Sequence, residues 1–382
     1  MIISRDILGS KKIGLVAPFK DYNYGTVLQA FALCKKLDDL GVKSEYIDYT
    51  ASSSLPTWKR ICRYFLHPIQ LWRRVFRKQE VNPIVAFLQS DAFYANKVEY
   101  DKFIAKIPCS ECYDINTIKQ SDKKYSLFIV GSDQTWSPFL NDSNSLYFLN
   151  FTEDRKKNSY APSLGTSNLS DDYKQLLKKK ISHFNHASCR EHFGAQLLTE
   201  LTGKEIVEVL DPTLLLTEED WKLCEQPVED LPEHFILVYQ LGTRPDIRNY
   251  AQMLSKEKCL PIVSLLTNDY TKSWDSVIDG VGPAQFLWLI HHADYVVTDS
   301  FHGTMFSINF KKQFFSFTKV EGDENQFDNI RLLDVLSKYG IEERIIKDVY
   351  KDKPKDVDFS SLYPILNENR KDSTEYLKNL VF

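Results

Sequence analysis

Residues 13–48 read IGLVAPFKDYNYGTVLQAFALCKKLDDLGVKSEYID. Ile13-Gly14-Leu15-Val16-Ala17 is a short apolar run of the kind that forms a buried strand. Asp21-Tyr22-Asn23-Tyr24-Gly25 follows with turn chemistry, because Asn and Gly tolerate backbone angles that other residues avoid. Beyond it Val27, Leu28, Phe31, Ala32, Cys34 and Leu37 recur at helical spacing. Gly41 stops the helix, and residues 43–48 read as the next strand. Strand, helix and strand in this order imply a parallel sheet with the helix laid across it.

The same alternation continues outward. Residues 127–130 (LFIV) form a buried strand that runs into Gly131-Ser132-Asp133-Gln134-Thr135-Trp136. Residues 158–165 leave a strand for a loop, 173–185 and 195–202 read as helices, and 187–191 as a strand end. Pro212 biases Asp211 away from helix, so residues 208–213 act as a connector. A fresh set then begins, with strands at 235–239, 260–266, 295–298 and 314–317. Helices alternate with them at 245–256, 283–291 and 330–339, and the first two open on proline. The charged tail ends in a helical stretch near 373–380. The expected class is α/β, with two Rossmann-like parallel-sheet domains facing a cleft. Residues 1–212 would form the first domain, 213–350 the second, and 351–382 a tail packing back on them.

Bulk properties narrow the function. A net charge of −4 offers no general attraction to nucleic acid, so an anionic ligand must be held by local cations. No apolar window reaches the length of a membrane span, and the start of the chain lacks a signal-peptide pattern. The 7 cysteines are odd in number and scattered, which suits a reducing, cytoplasmic setting, and Cys109-x-x-Cys112 reads as incidental. No cluster has metal-ligand spacing, and no Gly-rich phosphate loop or nucleophile elbow is present. Residues 52–78 stand apart, with Lys59, Arg73, Arg74, Arg77 and Lys78 among aromatics and no acidic residue. They read as an amphipathic arm with solvated cations, or as a peripheral contact with the inner membrane face.

Three turns after strands could carry chemistry. Asp299-Ser300-Phe301-His302-Gly303-Thr304 places a histidine where a helix begins, and free N–H groups at such an end favour phosphate or carboxylate. His302 can transfer a proton there, or be satisfied by backbone groups near the cap. Asp133 can accept a proton from a hydroxyl or cap the helix, and Trp136 can stack on a sugar face. Asn23, Tyr24 and Gly25 occupy the matching turn of the first strand. Arg190, Arg244 and Arg331 lie near element ends, where guanidinium groups can fork onto an anion. Asp211 is expected to be a structural cap.

Six stretches, in order, resemble the polysaccharide pyruvyl transferase family. They are residues 13–33, LFIVGSDQTW from 127, SYAPSLG from 159, SCRE from 188, VLDPTLLL from 209 and GPAQFLWLIHHADYVVTDSFHGT from 282. The resemblance implies a fold similar to the two-domain glycosyltransferase type GT-B. It implies phosphoenolpyruvate as the donor substrate and a free or lipid-linked sugar acceptor of a capsule or exopolysaccharide repeat unit; no cofactor and no metal are expected. The product would be a ketal-linked pyruvate. His302 matches the family's essential histidine, and Arg190 the arginine of its Ser-x-Arg-Glu stretch. Well-studied members carry Arg-Leu-His where this chain has Ser300-Phe301-His302, and Pro162 and Leu164 replace the more usual Ala and Phe. The expected catalytic residues are His302 and Asp133. Arg190, Ser300, Phe301, Gly303, Thr304, Arg244 and Arg331 are expected on the donor, and Asn23, Tyr24, Gly25, Gln134 and Trp136 on the acceptor. Two rival readings are a GT-B glycosyltransferase using a nucleotide sugar, and a non-catalytic sugar-binding or scaffold protein of polysaccharide assembly.

Overall fold

The computed structural model describes residues 12–50, 91–138, 141, 145–267, 271, 277–318 and 329–382. The cationic stretch at 52–78 lies outside the described residues.

The run quoted above folds as β1 (Lys12–Val16), α1 (Tyr24–Asp39) and β2 (Ser44–Tyr49). After α2 (Asp91–Ile104) come β3 (Cys109–Tyr113), β4 (Tyr125–Val130) and β5 (Lys157–Ser159). These five strands form one sheet in the order β3-β2-β1-β4-β5, and every pairing is parallel. α3 (Asp171–Ile181), β6 (Ser188–Cys189), α4 (His192–Thr202) and β7 (Val207–Glu208) extend this half. Two short helices follow, α5 (Pro212–Leu215) and α6 (Glu218–Lys222).

A second sheet repeats the plan. It is built from β8 (Ile236–Tyr239), α7 (Pro245–Lys258), β9 (Ile262–Leu265), β10 (Val277–Ile278), α8 (Pro283–His292), β11 (Tyr295–Thr298), α9 (Phe301–Asn309) and β12 (Gln313–Ser316). Its order is β10-β9-β8-β11-β12, again all parallel. α10 (Asn329–Lys338) and the long α11 (Phe359–Val381) complete the chain. The fold is therefore α/β and GT-B-like, with two parallel sheets of Rossmann order. In each, the order reverses beside the first strand, at β1/β4 and at β8/β11, where such sheets open a crevice at their carboxyl ends.

One continuous apolar core joins the two halves. Leu28 and Leu33 of α1, Phe286 of α8 and Phe306 of α9 all belong to it. Tyr24 is the centre of the junction. Its ring stacks on Phe286 at 4.4 Å and on Tyr100 at 5.0 Å, and meets Tyr239 edge-on at 5.5 Å. Its hydroxyl donates to the Val281 carbonyl at 2.9 Å. Tyr24 is thus an interior residue and not the acceptor contact expected from its turn. α11 ties the halves from behind: Arg370 Nε donates to Leu214 O at 2.8 Å, and Tyr376 Oη to Ser159 O at 3.1 Å. This helix starts well before the expected 373–380 stretch, with Pro364 inside it. No helix among the described residues is long and apolar enough to cross a membrane.

The aromatic junction makes a direct stability prediction. Tyr24→Ala should cost about 3–5 kcal/mol in urea denaturation, as for other buried aromatics. Tyr24→Phe should cost about 1 kcal/mol, the worth of the hydrogen bond to Val281.

Candidate active site

Three turns at strand ends converge on the first turn of α1. Asn23 caps that helix, its side chain accepting from Thr26 N at 3.2 Å. Gly25 lies against the ring of His302, so closely that a Cβ there would fall 1.9 Å from His302 Nδ1. Only glycine fits, which gives the Asn23-Tyr24-Gly25 turn a physical reason: it lets the backbone of one half touch the imidazole of the other. One residue on, Thr26 Oγ1 donates to Asp133 Oδ2 at 3.0 Å. His302 and Asp133 are therefore joined through two consecutive residues of α1.

Asp133 has φ 77°, a left-handed conformation rare outside glycine. Its surroundings hold it there. Thr135 N and Ser163 N donate to its carbonyl at 2.7 and 2.8 Å, and Gln134 N donates to its Oδ1 at 2.8 Å. Backbone strain of this kind collects at functional sites. Gln134 beside it is half-buried.

His302 opens α9, whose cap Ser300 accepts from Gly303 N at 3.3 Å. Its Nε2 lies 3.7 Å from Asp211 Oδ2, an ion-pair distance longer than a hydrogen bond, and has no hydrogen-bond partner among the described residues. The loop before it is fixed by Asp299, which accepts from Leu241 N and Gly242 N at 2.6 and 2.7 Å.

Asp211 is the buried anchor of the site. Its Oδ1 accepts from Thr213 N at 3.0 Å and from Thr213 Oγ1 at 2.7 Å, the capping role expected from Asp-Pro. Its Oδ2 does something else: it accepts from Arg190 Nη1 at 2.7 Å and from Ser132 Oγ at 3.1 Å, and faces His302. Burial pushes this carboxyl up, but the imidazole of His302, the guanidinium of Arg190 and the Thr213 N–H more than offset it. The net result lies well below the usual carboxylate range, so Asp211 is a permanent anion.

Arg190 is correspondingly internal. Burial pulls its guanidinium down, and the charges of Asp211, Glu191 and Asp133 raise it further than that. Its side chain is 1% exposed, and its guanidinium stacks 4.6 Å from the centre of the Phe301 ring. Arg331 of α10 lies 5.4 Å from the same ring. A cavity of about 20 Å³ bordered by Arg190, Asp211 and Phe301 has room for one water and none for a three-carbon acid. In this conformation Arg190 is thus buried and paired with Asp211, where the sequence leads one to expect an anion clamp.

Other expected contacts have different roles. Trp136 is fully buried, donates Nε1–H to Tyr147 O at 3.3 Å and packs edge-on against Phe184, so no sugar can stack on it. Arg244 is committed to Asp246 and, through Nη1, to Thr318 O at 2.7 Å. Thr304 Oγ1 is buried 2.7 Å from Ser316 Oγ, and Gly303 packs under Thr298 and Tyr239. Thr26, Glu191 and the second role of Asp211 were not legible locally. Glu191 is buried beside Arg190 and bonded by Ser163 and Cys189, a consequence of packing that no spacing announces.

With this geometry in place, comparison with known proteins identifies the class. Residues 23–318 match the family model described as polysaccharide pyruvyl transferase, and the chain belongs to that family of transferase enzymes. No curated protein matches it. Among solved structures it is similar to the UDP-GlcNAc 2-epimerase of Methanocaldococcus jannaschii, at 12% identity over 97% of this chain and 99% of that one, TM-score 0.49. It is also similar to the UDP-GlcNAc 2-epimerase of Neisseria meningitidis, at 10% identity over 97% and 100%, TM-score 0.44. The wall teichoic acid polymerase TagF gives 12% identity over 97% and 88%, TM-score 0.44. Likeness at this level says nothing about substrate.

A pH-dependent feature borders the site. Asp334 of α10 accepts from His192 N, at the start of α4, at 2.6 Å. Burial pushes its carboxyl up, and the nearby Glu191 and Glu208 carboxylates add to this, to about 6. The folded protein therefore holds a proton that the unfolded chain releases near pH 4. Stability must fall as pH rises between these values and stay lower above about 6, by on the order of 2 kcal/mol. Asp334→Asn keeps an acceptor for His192 N without the charge. In urea denaturation it should gain on the order of 1 kcal/mol over the parent at pH 8 and nothing at pH 4. A gain independent of pH would contradict this.

Proposed function

We propose that the enzyme transfers the pyruvyl unit of phosphoenolpyruvate to two hydroxyls of one sugar in a capsule or exopolysaccharide repeat unit. The observation that carries this reading is the junction of His302 and Asp133 on α1, supported by the family assignment. It offers a proton donor and a proton acceptor on one turn, beside the N-terminal ends of α1 and α9, where anions are favoured.

The donor's phosphate and carboxylate lie against these helix ends and the imidazolium of His302. Asp211 stands behind that ring, and Arg190 pairs with Asp211. His302 gives its proton to the methylene carbon, leaving a cationic centre at the phosphate-bearing carbon. A sugar hydroxyl, hydrogen-bonded to Asp133, attacks that carbon and loses its proton to the carboxylate. A second hydroxyl of the same sugar then displaces phosphate and closes the cyclic ketal. Of the two hydroxyl protons, one replaces that given to the methyl group and the other leaves with phosphate. The acceptor reads as a lipid-carried repeat unit, which would give the cations of residues 52–78 a role at the inner membrane face.

The test is phosphate release from phosphoenolpyruvate with a panel of galactose, mannose and glucosamine acceptors. Parent protein should release phosphate only with an acceptor present. His302→Ala should lose at least about 10²-fold in turnover, the usual worth of general acid–base help. Gly25→Ala, whose new methyl displaces the imidazole, should lose at least about ten-fold while remaining folded by circular dichroism. Release of nucleotide from a nucleotide sugar, with no phosphate released, would overturn the reading in favour of glycosyl transfer. Near-normal turnover in His302→Ala would remove His302 from the chemistry.

A further inference from the structure

Away from the catalytic turn, α8 ends in two adjacent histidines, His291 and His292, and the fold brings Glu225 to them from the segment after α6. One potential ligand atom from each of the three lies within 4.8 Å of the others. Residue spacing hides this group, because Glu225 is 66 residues from His291. The expectation of no metal ligands was drawn from spacing along the chain alone.

Both imidazoles are held in place. The His292 ring stacks on Trp288 at 4.2 Å, and its Nδ1 lies 2.9 Å from the Trp288 carbonyl. That carbonyl can only accept, so Nδ1 carries the proton and Nε2 the lone pair. This is the outer bond that fixes the tautomer of a metal-bound histidine. The His291 ring stacks on Phe310 at 5.0 Å, and its Nδ1 is 2.9 Å from Glu225 Oε2. The carboxyl end of a helix carries the negative end of its dipole, which favours a cation.

We propose that Glu225, His291 and His292 form a binding site for a divalent transition metal of the zinc class. Two imidazoles and one carboxylate make a set for zinc, nickel or cobalt and a poor one for magnesium or calcium, which require oxygen ligands. The metal clamps the segment after α6 to the end of α8. Phe310, against which His291 stacks, closes α9 at the end opposite His302. The eight residue steps from His302 to Phe310 separate the two by roughly 12 Å along α9, so the ion fixes the scaffold and takes no part in the transfer chemistry.

The experiment uses the full chain, stripped with a chelator, and titrated with Zn²⁺ and Co²⁺ by calorimetry. One equivalent should bind, and saturating Zn²⁺ should raise Tm. His292→Ala and Glu225→Gln, both at partly exposed positions, should each weaken binding at least about ten-fold and reduce the Tm rise. Bound Co²⁺ should give a visible spectrum without an intense thiolate charge-transfer band. Absence of saturable binding, or equal affinity in the parent and both variants, would overturn the proposal. So would a thiolate band, which would assign the ion to cysteine.

Discussion

The buried carboxylate of Asp211 is the constraint on which the rest of the site depends. One oxygen caps α5, and the other is shared between Arg190 of the first half and the face of His302 from the second. A charge removed from water in this way must be paired, and breaking a buried pair typically costs about 3–5 kcal/mol. Two sheets that could pack in many relative orientations are thereby required to meet where three polar groups coincide. The aromatic stack at Tyr24 adds apolar contact to that meeting, and the ion pair contributes its register.

Function follows from the same packing. The imidazole of His302 is pressed against Gly25, which fixes its plane. Asp133 is held to the next residue in a strained backbone conformation. In the proposed reaction these two groups would be the proton donor and acceptor, held at one turn of α1 before any substrate arrives, the condition under which positioning contributes most to rate. Arg190 acts at one remove. Phe301 covers its guanidinium, which in the proposed reaction would act through the charge of Asp211.

Much of the fold was legible in the sequence because periodicity records burial. Residues 13–17, 127–130 and 295–298 are strands buried on both faces, and continuous apolar runs say so. The length of α11 was hidden by Pro364 and by its many charged residues, since its stability comes from docking across both halves. At the site, His302, Asp133 and Gly25 stood out because each sits at a turn after a strand, where local chemistry is informative. Trp136 and Tyr24 stood at similar turns and proved to be interior, because nothing local distinguishes an aromatic facing a cleft from one facing the core. The pairing of Arg190 with Asp211 joins residues 21 apart through the sheet edge, and only the assembled fold reveals it.

The claim at the centre of this account is that a doubly anionic donor is received where His302 meets the first turns of α1 and α9. A crystal structure with phosphoenolpyruvate bound tests it most directly. An anionic oxygen about 3 Å from the His302 ring, with others on first-turn amides of α1 or α9, is the predicted result. Phosphoenolpyruvate ordered elsewhere in the cleft, with His302 still facing Asp211 and without a ligand, would contradict it.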